Sequence, residues 1–300
     1  MLDAYADQIL GFVMARRHKS GGFAAAPTLP PSIEDTYYAL SILKVIFPHS
    51  KDAIEAIQEE SKLSGYLRKT EDKETWRART VYHYLCSCYF AGVAKVEDIS
   101  WIKRHLAEHS KSIANLSEYY YQARIVREYL SEVLSEGEGN LLKRPSPKWR
   151  TLRELWMLLY IANSSPEHLS TTRKKLVTWV QACQNPDGGF GYLPGTTSFI
   201  ENTHFSMRIL SQLRAKPQHP EKVREFIMRC KTARGGFSRR NGAAPFLDTT
   251  WHAVAALCLL EKPESQCHAL QEGKFQPPEH AKENRGLFKN EPKIQRNYFI

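Results

Sequence analysis

No apolar run in this chain reaches eighteen residues, so no membrane-spanning helix is predicted. The amino-terminal stretch MLDAYADQILGFVMARRHKS is amphipathic and acid-containing, with neither a long apolar centre nor a small-residue cleavage site. A secretory leader is therefore not expected. None of the six cysteines (Cys86, Cys88, Cys183, Cys230, Cys258, Cys267) belongs to a CxxC pair, and most stand in apolar helical context. Such usage fits reduced core thiols in a cytoplasmic protein, not a disulfide framework. Alternating runs flanked by hairpin turns are missing as well, so strands are not predicted. The formal charge of +10 admits an anionic ligand, a membrane surface or nucleic acid. No recognised nucleic-acid-binding motif accompanies it, and nucleic acid is not expected as a partner.

Only 16 glycines are present, yet three pairs of them stand in one register. Gly21-Gly22-Phe23, Gly188-Gly189-Phe190 and Gly235-Gly236-Phe237 are each followed, thirteen residues after the Phe, by Thr36, Thr203 and Thr250. Two residues before each Thr stands an acid: Glu34, Glu201, Asp248. Nine residues before each first glycine stands an aromatic: Phe12, Trp179, Phe226. Landmarks matched on both sides of a loop mark an internal repeat. Each copy reads as an outer helix, a glycine turn, a loop and an inner helix. Glycine ends the first helix in the left-handed conformation, and the polar residues near the acid open the second.

In chain order the outer helices are predicted over 3–17, 52–62, 96–109, 166–183 and 221–230. Inner helices are predicted over 36–47, from Thr80, and over 116–134, 151–162, 201–213 and 248–260. The second copy is worn: Leu63-Ser64-Gly65-Tyr66 takes the place of the glycine turn, and Arg77 and Arg79 stand where the acid would be. The fourth inner helix has no clear outer partner. The inner helices are much the more apolar, as an inner layer shielded by an outer one requires. A lone hairpin cannot cover both faces, so the copies stack side by side, and closure into a ring suits the likeness of the copies nearest the two chain ends.

The string Gln184-Asn185-Pro186-Asp187-Gly188-Gly189-Phe190-Gly191, with Trp179 five residues before the Gln, resembles the glutamine-and-aromatic repeat of squalene and oxidosqualene cyclases. The β subunits of protein prenyltransferases share that repeat, and residues 3–262 fit it. The resemblance implies an all-α fold, the α/α toroid of the terpenoid cyclase/protein prenyltransferase superfamily. About six hairpins over 1–262 would form a closed barrel, with 263–300 a tail extended or packed on the ring. It further implies a central apolar cavity that takes an isoprenoid or its diphosphate, and leaves room for a protein partner subunit.

If the inner helices run parallel, their N-termini open on one mouth and favour an anion. Arg77, Arg79, Lys148, Arg150, Arg239 and Arg240 fall in or just before those entries. Below them Tyr37, Tyr38, Tyr82, Tyr84, Tyr120, Tyr121, Trp156, Phe205 and Trp251 are expected to wall an apolar well. In prenyltransferase β subunits a zinc ion is held by Asp-x-Cys and a His of the next repeat. The matching triplet here is Asp248-Thr249-Thr250, with threonine in the thiolate place, so zinc is not expected, whereas Mg2+ could accompany a diphosphate. By family spacing Arg240 matches a diphosphate-binding arginine, while Phe199 departs from the matching histidine. The acid motif of class II cyclases is reduced to Glu34-Asp35, so Asp35 is either a general acid or a helix cap. His83, His204 and His252, with Glu201 or Asp248, could share a metal or be hydrogen-bonded core residues. No Gly-Cys-Gly-Glu-Gln thioester motif favours a complement-like toroid. Two function classes follow. One is a zinc-free transferase or cyclase acting through Asp35 and Asp248, with Arg77, Arg79, Arg239, Arg240, Glu201, Tyr37 and Trp251 on the substrate. The other is a non-catalytic toroid that binds a lipid or a protein.

Overall fold

The computed structural model describes residues 2–46, 61–69, 73–91, 93, 101–102, 104–106, 115–129, 149–161 and 170–261. Among the described residues there are ten named α-helices, two 3-10 turns (Leu2–Tyr5 and Lys73–Thr75) and isolated backbone bridges, but no strand. In chain order the helices are α1 (Ala6–Met14), α2 (Ile33–Ile46), α3 (Ser61–Arg68), α4 (Ala78–Phe90) and α5 (Leu116–Tyr129). They continue with α6 (Leu152–Ile161), α7 (Ser170–Ala182), α8 (Ile200–Gln212), α9 (Pro220–Arg229) and α10 (Leu247–Glu261). Helices α2, α4, α5, α6, α8 and α10 each pack on the next, and α10 packs back on α2. The inner helices therefore close into a ring, the α/α toroid that the repeat predicts. Outside it, α1, α3, α7 and α9 cover α2, α4, α8 and α10 respectively.

Burial explains the two layers. On α9 only Val223, Phe226 and Ile227 are buried, one stripe of an amphipathic helix. On α10 the buried set runs almost unbroken from Leu247 to Leu259, because that helix is enclosed on nearly all sides. Four cysteines, Cys86, Cys88, Cys183 and Cys230, are unpaired and buried in these layers. Burial holds their thiols well above the usual range, at about 11 to about 12.

The thirteen-residue interval is a hydrogen bond. In each copy the amide of the Phe (23, 190, 237) donates to the hydroxyl of the Thr (36, 203, 250), at 3.0, 3.2 and 3.0 Å. Each hydroxyl donates in turn to the carbonyl four residues back, of Ser32, Phe199 and Phe246. The Thr is the fourth residue of its helix and ties the glycine turn to the helix start.

The glycines tie one copy to the next. Gly21, Gly188 and Gly235 have φ of +106°, +89° and +89°, and a Cβ on them would lie 2.2, 2.0 and 2.0 Å from the carbonyl oxygens of Lys62, Lys222 and Gln8. Those carbonyls belong to α3, α9 and α1, the outer helix of the following copy. For the last copy the following one is the first, and there the ring closes. Four residues beyond each carbonyl, Tyr66, Phe226 and Phe12 press their rings on Gly22, Gly189 and Gly236.

The second hairpin departs from expectation. Leu63-Ser64-Gly65-Tyr66 is not a turn but lies inside α3, and a Cβ on Gly65 would meet nothing within 4 Å. Tyr66 holds the place of Phe12 and Phe226, so the segment is the aromatic landmark of an outer helix. A glycine followed by an aromatic occurs in both contexts, and only packing against Gly22 separates them. In the third outer helix, expected over 96–109, Trp101, Ile102, Arg104, His105 and Leu106 are helical. Residues 47–60, 130–148 and the tail from 262 lie outside the described residues.

Candidate functional site

All six inner helices contribute to one cavity of about 270 Å3. Its lining falls into tiers set by helical position. At the second residue of their helices stand Arg79, Arg153, Glu201 and Asp248, joined by Arg239 from the last loop. One turn deeper, at the fifth and sixth residues, stand Tyr37, Tyr38, His83, Tyr121, Trp156, His204, Phe205, Trp251 and His252. A further turn in, at the ninth residue, are Arg124 and Arg208. Residues at matching positions touch across neighbouring helices, so the inner helices run parallel and begin at one mouth.

The middle tier is a closed belt of rings. Tyr37 stacks on His83 at 4.1 Å between centres, and His83 meets Tyr121 edge-on at 5.8 Å. Tyr120, beside Tyr121, meets Trp156 at 4.8 Å, which stacks on Phe205 at 5.0 Å. Phe205 meets His252 at 5.4 Å, and His252 meets Tyr38 at 6.4 Å. Such contacts add about 0.5–1.5 kcal/mol each beyond the area they bury and hold the cavity wall in shape.

At the mouth, carboxylates of one copy pair with arginines of the next: Glu34 with Arg79, and Glu201 with Arg239 at 2.9 Å. The Arg239 guanidinium also lies 4.1 Å from the Phe199 ring centre. Each copy also caps its predecessor. Leu152 N–H donates to Tyr192 O at 2.9 Å, Ile200 N–H to Arg239 O at 3.0 Å, and Ala78 N–H to Glu118 Oε1 at 2.8 Å. Among the described residues no cation pairs with Asp248, whose Oδ1 accepts the Thr249 amide at 2.7 Å. Burial raises the Glu201 carboxyl above its usual range and Asp248 adds to this, while its own amide and Arg239 oppose it. Its Oε2 is buried with no hydrogen-bond partner among the described residues.

In the middle tier His204 Nδ1 and His252 Nδ1 are 2.8 Å apart, so one donates and the other accepts. Burial drives His204 well below its usual range, with His252 and Arg208 adding. Burial, with Arg79, Arg153 and Arg208, pushes His252 down to about 3. Both imidazoles are neutral near pH 7. His204 Nε2 is buried and has no partner among the described residues. Among the described residues, no three His, Cys, Asp or Glu side chains converge as metal ligands would.

Of the residues singled out from sequence, the fold gathers Tyr37, Arg79, Glu201, Arg239, Asp248 and Trp251 around the cavity. Asp35, Arg77 and Arg240 are not among its lining. Asp35 accepts a hydrogen bond from Ser32 Oγ at 2.6 Å and donates its amide to the same oxygen at 2.9 Å, closing the start of α2. Burial raises the Asp35 carboxyl, Asp248 adds, and Ser32 and Arg16 oppose. Arg77 caps α4 from an extended backbone and is exposed. Arg240 is exposed, its carbonyl accepting from Ser238 Oγ at 2.7 Å. Of the aromatics expected in the well, Tyr82, Tyr84 and Tyr120 are not in the lining. Tyr82 and Tyr120 are buried between inner helices, and Tyr84 packs on Trp76 and accepts from Lys73 Nζ at 2.8 Å. The well is also less apolar than expected, with five arginines and three histidines in its lining. Sequence reasoning missed Arg124, Arg153 and Arg208. For Arg124 and Arg208 the one signal is a charge placed where an inner helix is otherwise buried, whereas Arg153 is exposed at the start of α6.

The comparisons with known proteins agree with this architecture. The model of the prenyltransferase alpha-alpha toroid domain matches residues 1–120 and 145–276. Among solved structures, the chain is similar to Candida albicans protein geranylgeranyltransferase-I complexed with GGPP. The TM-score is 0.57 at 12% identity, covering 93% of this chain and 97% of that one, a likeness of fold. No curated protein matches by sequence. Family model, repeat register and closed ring lead to one conclusion: the chain belongs to the prenyltransferase alpha-alpha toroid family.

Proposed function

We propose that this toroid binds an isoprenoid-type diphosphate in its central cavity, head at the mouth and carbon chain against the belt of rings, and acts in prenyl-group chemistry without zinc. The observation that carries the reading is the tiered cavity, where Arg79 and Arg153 at parallel helix starts, with Arg239 from the last loop, stand directly above aromatic side chains. Cations and helix N-termini together favour a diphosphate, and the rings favour an apolar body. The solved relative's GGPP complex supports the same ligand class. The zinc-free part rests on Thr250, which is fully buried. Its hydroxyl is engaged by Phe246 O and Phe237 N–H, leaving Asp248 without the thiolate of a zinc set. Asp248 remains the acid best placed beside a bound head, either directly or through Mg2+.

Titration of geranyl and geranylgeranyl diphosphate at low salt tests the reading. A charge-assisted contact contributes about 1.5–3 kcal/mol, so Arg239→Ala should weaken binding about ten- to a hundredfold. Arg240→Ala, outside the cavity, should change it by about twofold or less, as for a screened surface charge. No binding by the unmodified protein, or equal small losses in both variants, would put a non-catalytic, protein-binding toroid in its place.

A further inference from the structure

Among the described residues, large apolar side chains stand exposed at four positions: Leu29 at 48%, Trp149 at 36%, Tyr192 at 45% and Phe246 at 46%. All four lie at the mouth. Leu29, Tyr192 and Phe246 belong to the loops that run from a glycine turn into α2, α8 and α10, and Trp149 stands three residues before α6. Tyr192 O accepts from Leu152 N–H, so Tyr192 sits at the α6 entry that Trp149 leads into. Phe246 immediately precedes α10, which packs on α2, the helix that Leu29 leads into. Cations are interleaved with these side chains. In the same entry stretches Arg77, Arg150, Arg153, Arg239 and Arg240 are exposed, and the exposed acid among the described residues there is Glu34, which pairs with Arg79. Single exposed apolar residues are ordinary, but here they gather at one end of the molecule, with charge of one sign, around an opening. A protein interface collects its apolar residues in a central core and keeps charge at the rim. In this ring the centre is the cavity, and apolar and basic side chains share the rim. That mixture suits the headgroup level of a bilayer, where Trp and Tyr span the polar boundary and arginine meets anionic lipid.

We propose that the mouth face docks on an anionic lipid bilayer. Leu29, Trp149, Tyr192 and Phe246 enter the headgroup region, and the exposed arginines meet the lipid phosphates and carboxylates. The cavity then opens directly onto the bilayer, and a carbon chain can enter it without crossing water. The surface goes beyond the ligand reading above and does not depend on it, because the docking itself needs no isoprenoid.

The test is sedimentation of the full chain with phosphatidylcholine vesicles, with and without phosphatidylserine, in the absence of any prenyl diphosphate. Binding should require phosphatidylserine and weaken as salt rises. A basic residue near such a surface changes partition about fivefold, so Arg240→Glu, which removes a cation and adds an anion, should weaken binding about tenfold or more. Phe246→Ser should weaken it about three- to tenfold at unchanged charge, from the apolar area withdrawn from the lipid. Serine stands at the matching place in the first copy, Ser32 four residues before Thr36, so the substitution suits the helix start. Tryptophan emission should shift to the blue when phosphatidylserine vesicles are added. Trp149→Phe, which keeps an apolar ring, should remove most of that shift and leave sedimentation nearly as it was. No sedimentation with phosphatidylserine vesicles overturns the proposal in favour of a protein partner on this face. Binding that Phe246→Ser leaves unchanged, with no emission shift in the unmodified protein, overturns it in favour of a loose attraction between a basic protein and anionic lipid. Vesicle binding by a protein that takes no prenyl diphosphate would uphold the docking surface and overturn only the ligand reading, so the two failures are distinct.

Discussion

Two glycines in one loop separate backbone need from packing need. Gly188 and Gly195 both have positive φ, +89° and +81°. A Cβ on Gly188 would sit 2.0 Å from Lys222 O, whereas one on Gly195 would meet nothing within 4 Å. Gly195→Ala should therefore cost only the strain of φ, about 1 kcal/mol. Gly188→Ala must also push α9 away from the turn and should cost at least about 3 kcal/mol. Denaturant unfolding of both variants measures the difference, and equal losses would mean that the turn does not press on the next copy. This residue-scale rule was readable in the Gly-Gly-Phe register. The position of Arg208 was not, because one arginine in a buried helix looks the same whether it faces the axis or a neighbour.

At the scale of elements, ring closure gives the first helix an importance that its place in the chain would not suggest. Chain ends usually tolerate change because they are little tied down. Here Phe12 of α1 is 3% exposed and packs on Gly236, as Phe226 of α9, 5% exposed, packs on Gly189. Phe12→Ala and Phe226→Ala should each cost about 3–5 kcal/mol, with melting temperatures lowered alike. An open solenoid would lose much less at Phe12, so thermal melts of the two variants tell ring from solenoid. The inner and outer character of most helices was legible from apolar content. The end of the second outer helix was set too early, before Leu63, because its Gly65-Tyr66 copied the look of a turn.

Across the whole molecule, the buried histidines set a pH limit on stability. Burial lowers His83, His204 and His252, the last to about 3. Arg79 and Arg124 stand near His83, Arg208 near His204, and Arg79, Arg153 and Arg208 near His252. Below about pH 6.5 the unfolded chain takes up protons that the folded one refuses, so stability falls as pH drops from there towards the folded values. Asp35 and Glu201, raised by burial, act in the opposite sense: they favour the fold in acid, and that contribution fades as pH rises through their folded values. With three histidines affected, the melting temperature should fall between about pH 7 and pH 5. His83→Phe, which keeps a ring stacked on Tyr37, should flatten the slope. A melting temperature constant over that interval would show that the imidazoles gain protons without cost.

The sequence by itself determined the hairpin repeat, its three glycine turns, the Phe-to-Thr interval and the family. All of these are local chemistry repeated at fixed spacing. Only the tertiary structure decided which buried residues form the cavity. A helical period reports a buried face when the opposite face meets water. An inner helix of a closed ring is buried towards its outer partner, towards both neighbours and towards the axis, so its pattern has no wet side to set the phase. Tyr82 and His83 are adjacent and both buried, yet one packs between helices and the other lines the cavity. The ring sets that phase by packing together six helices that are far apart in the chain.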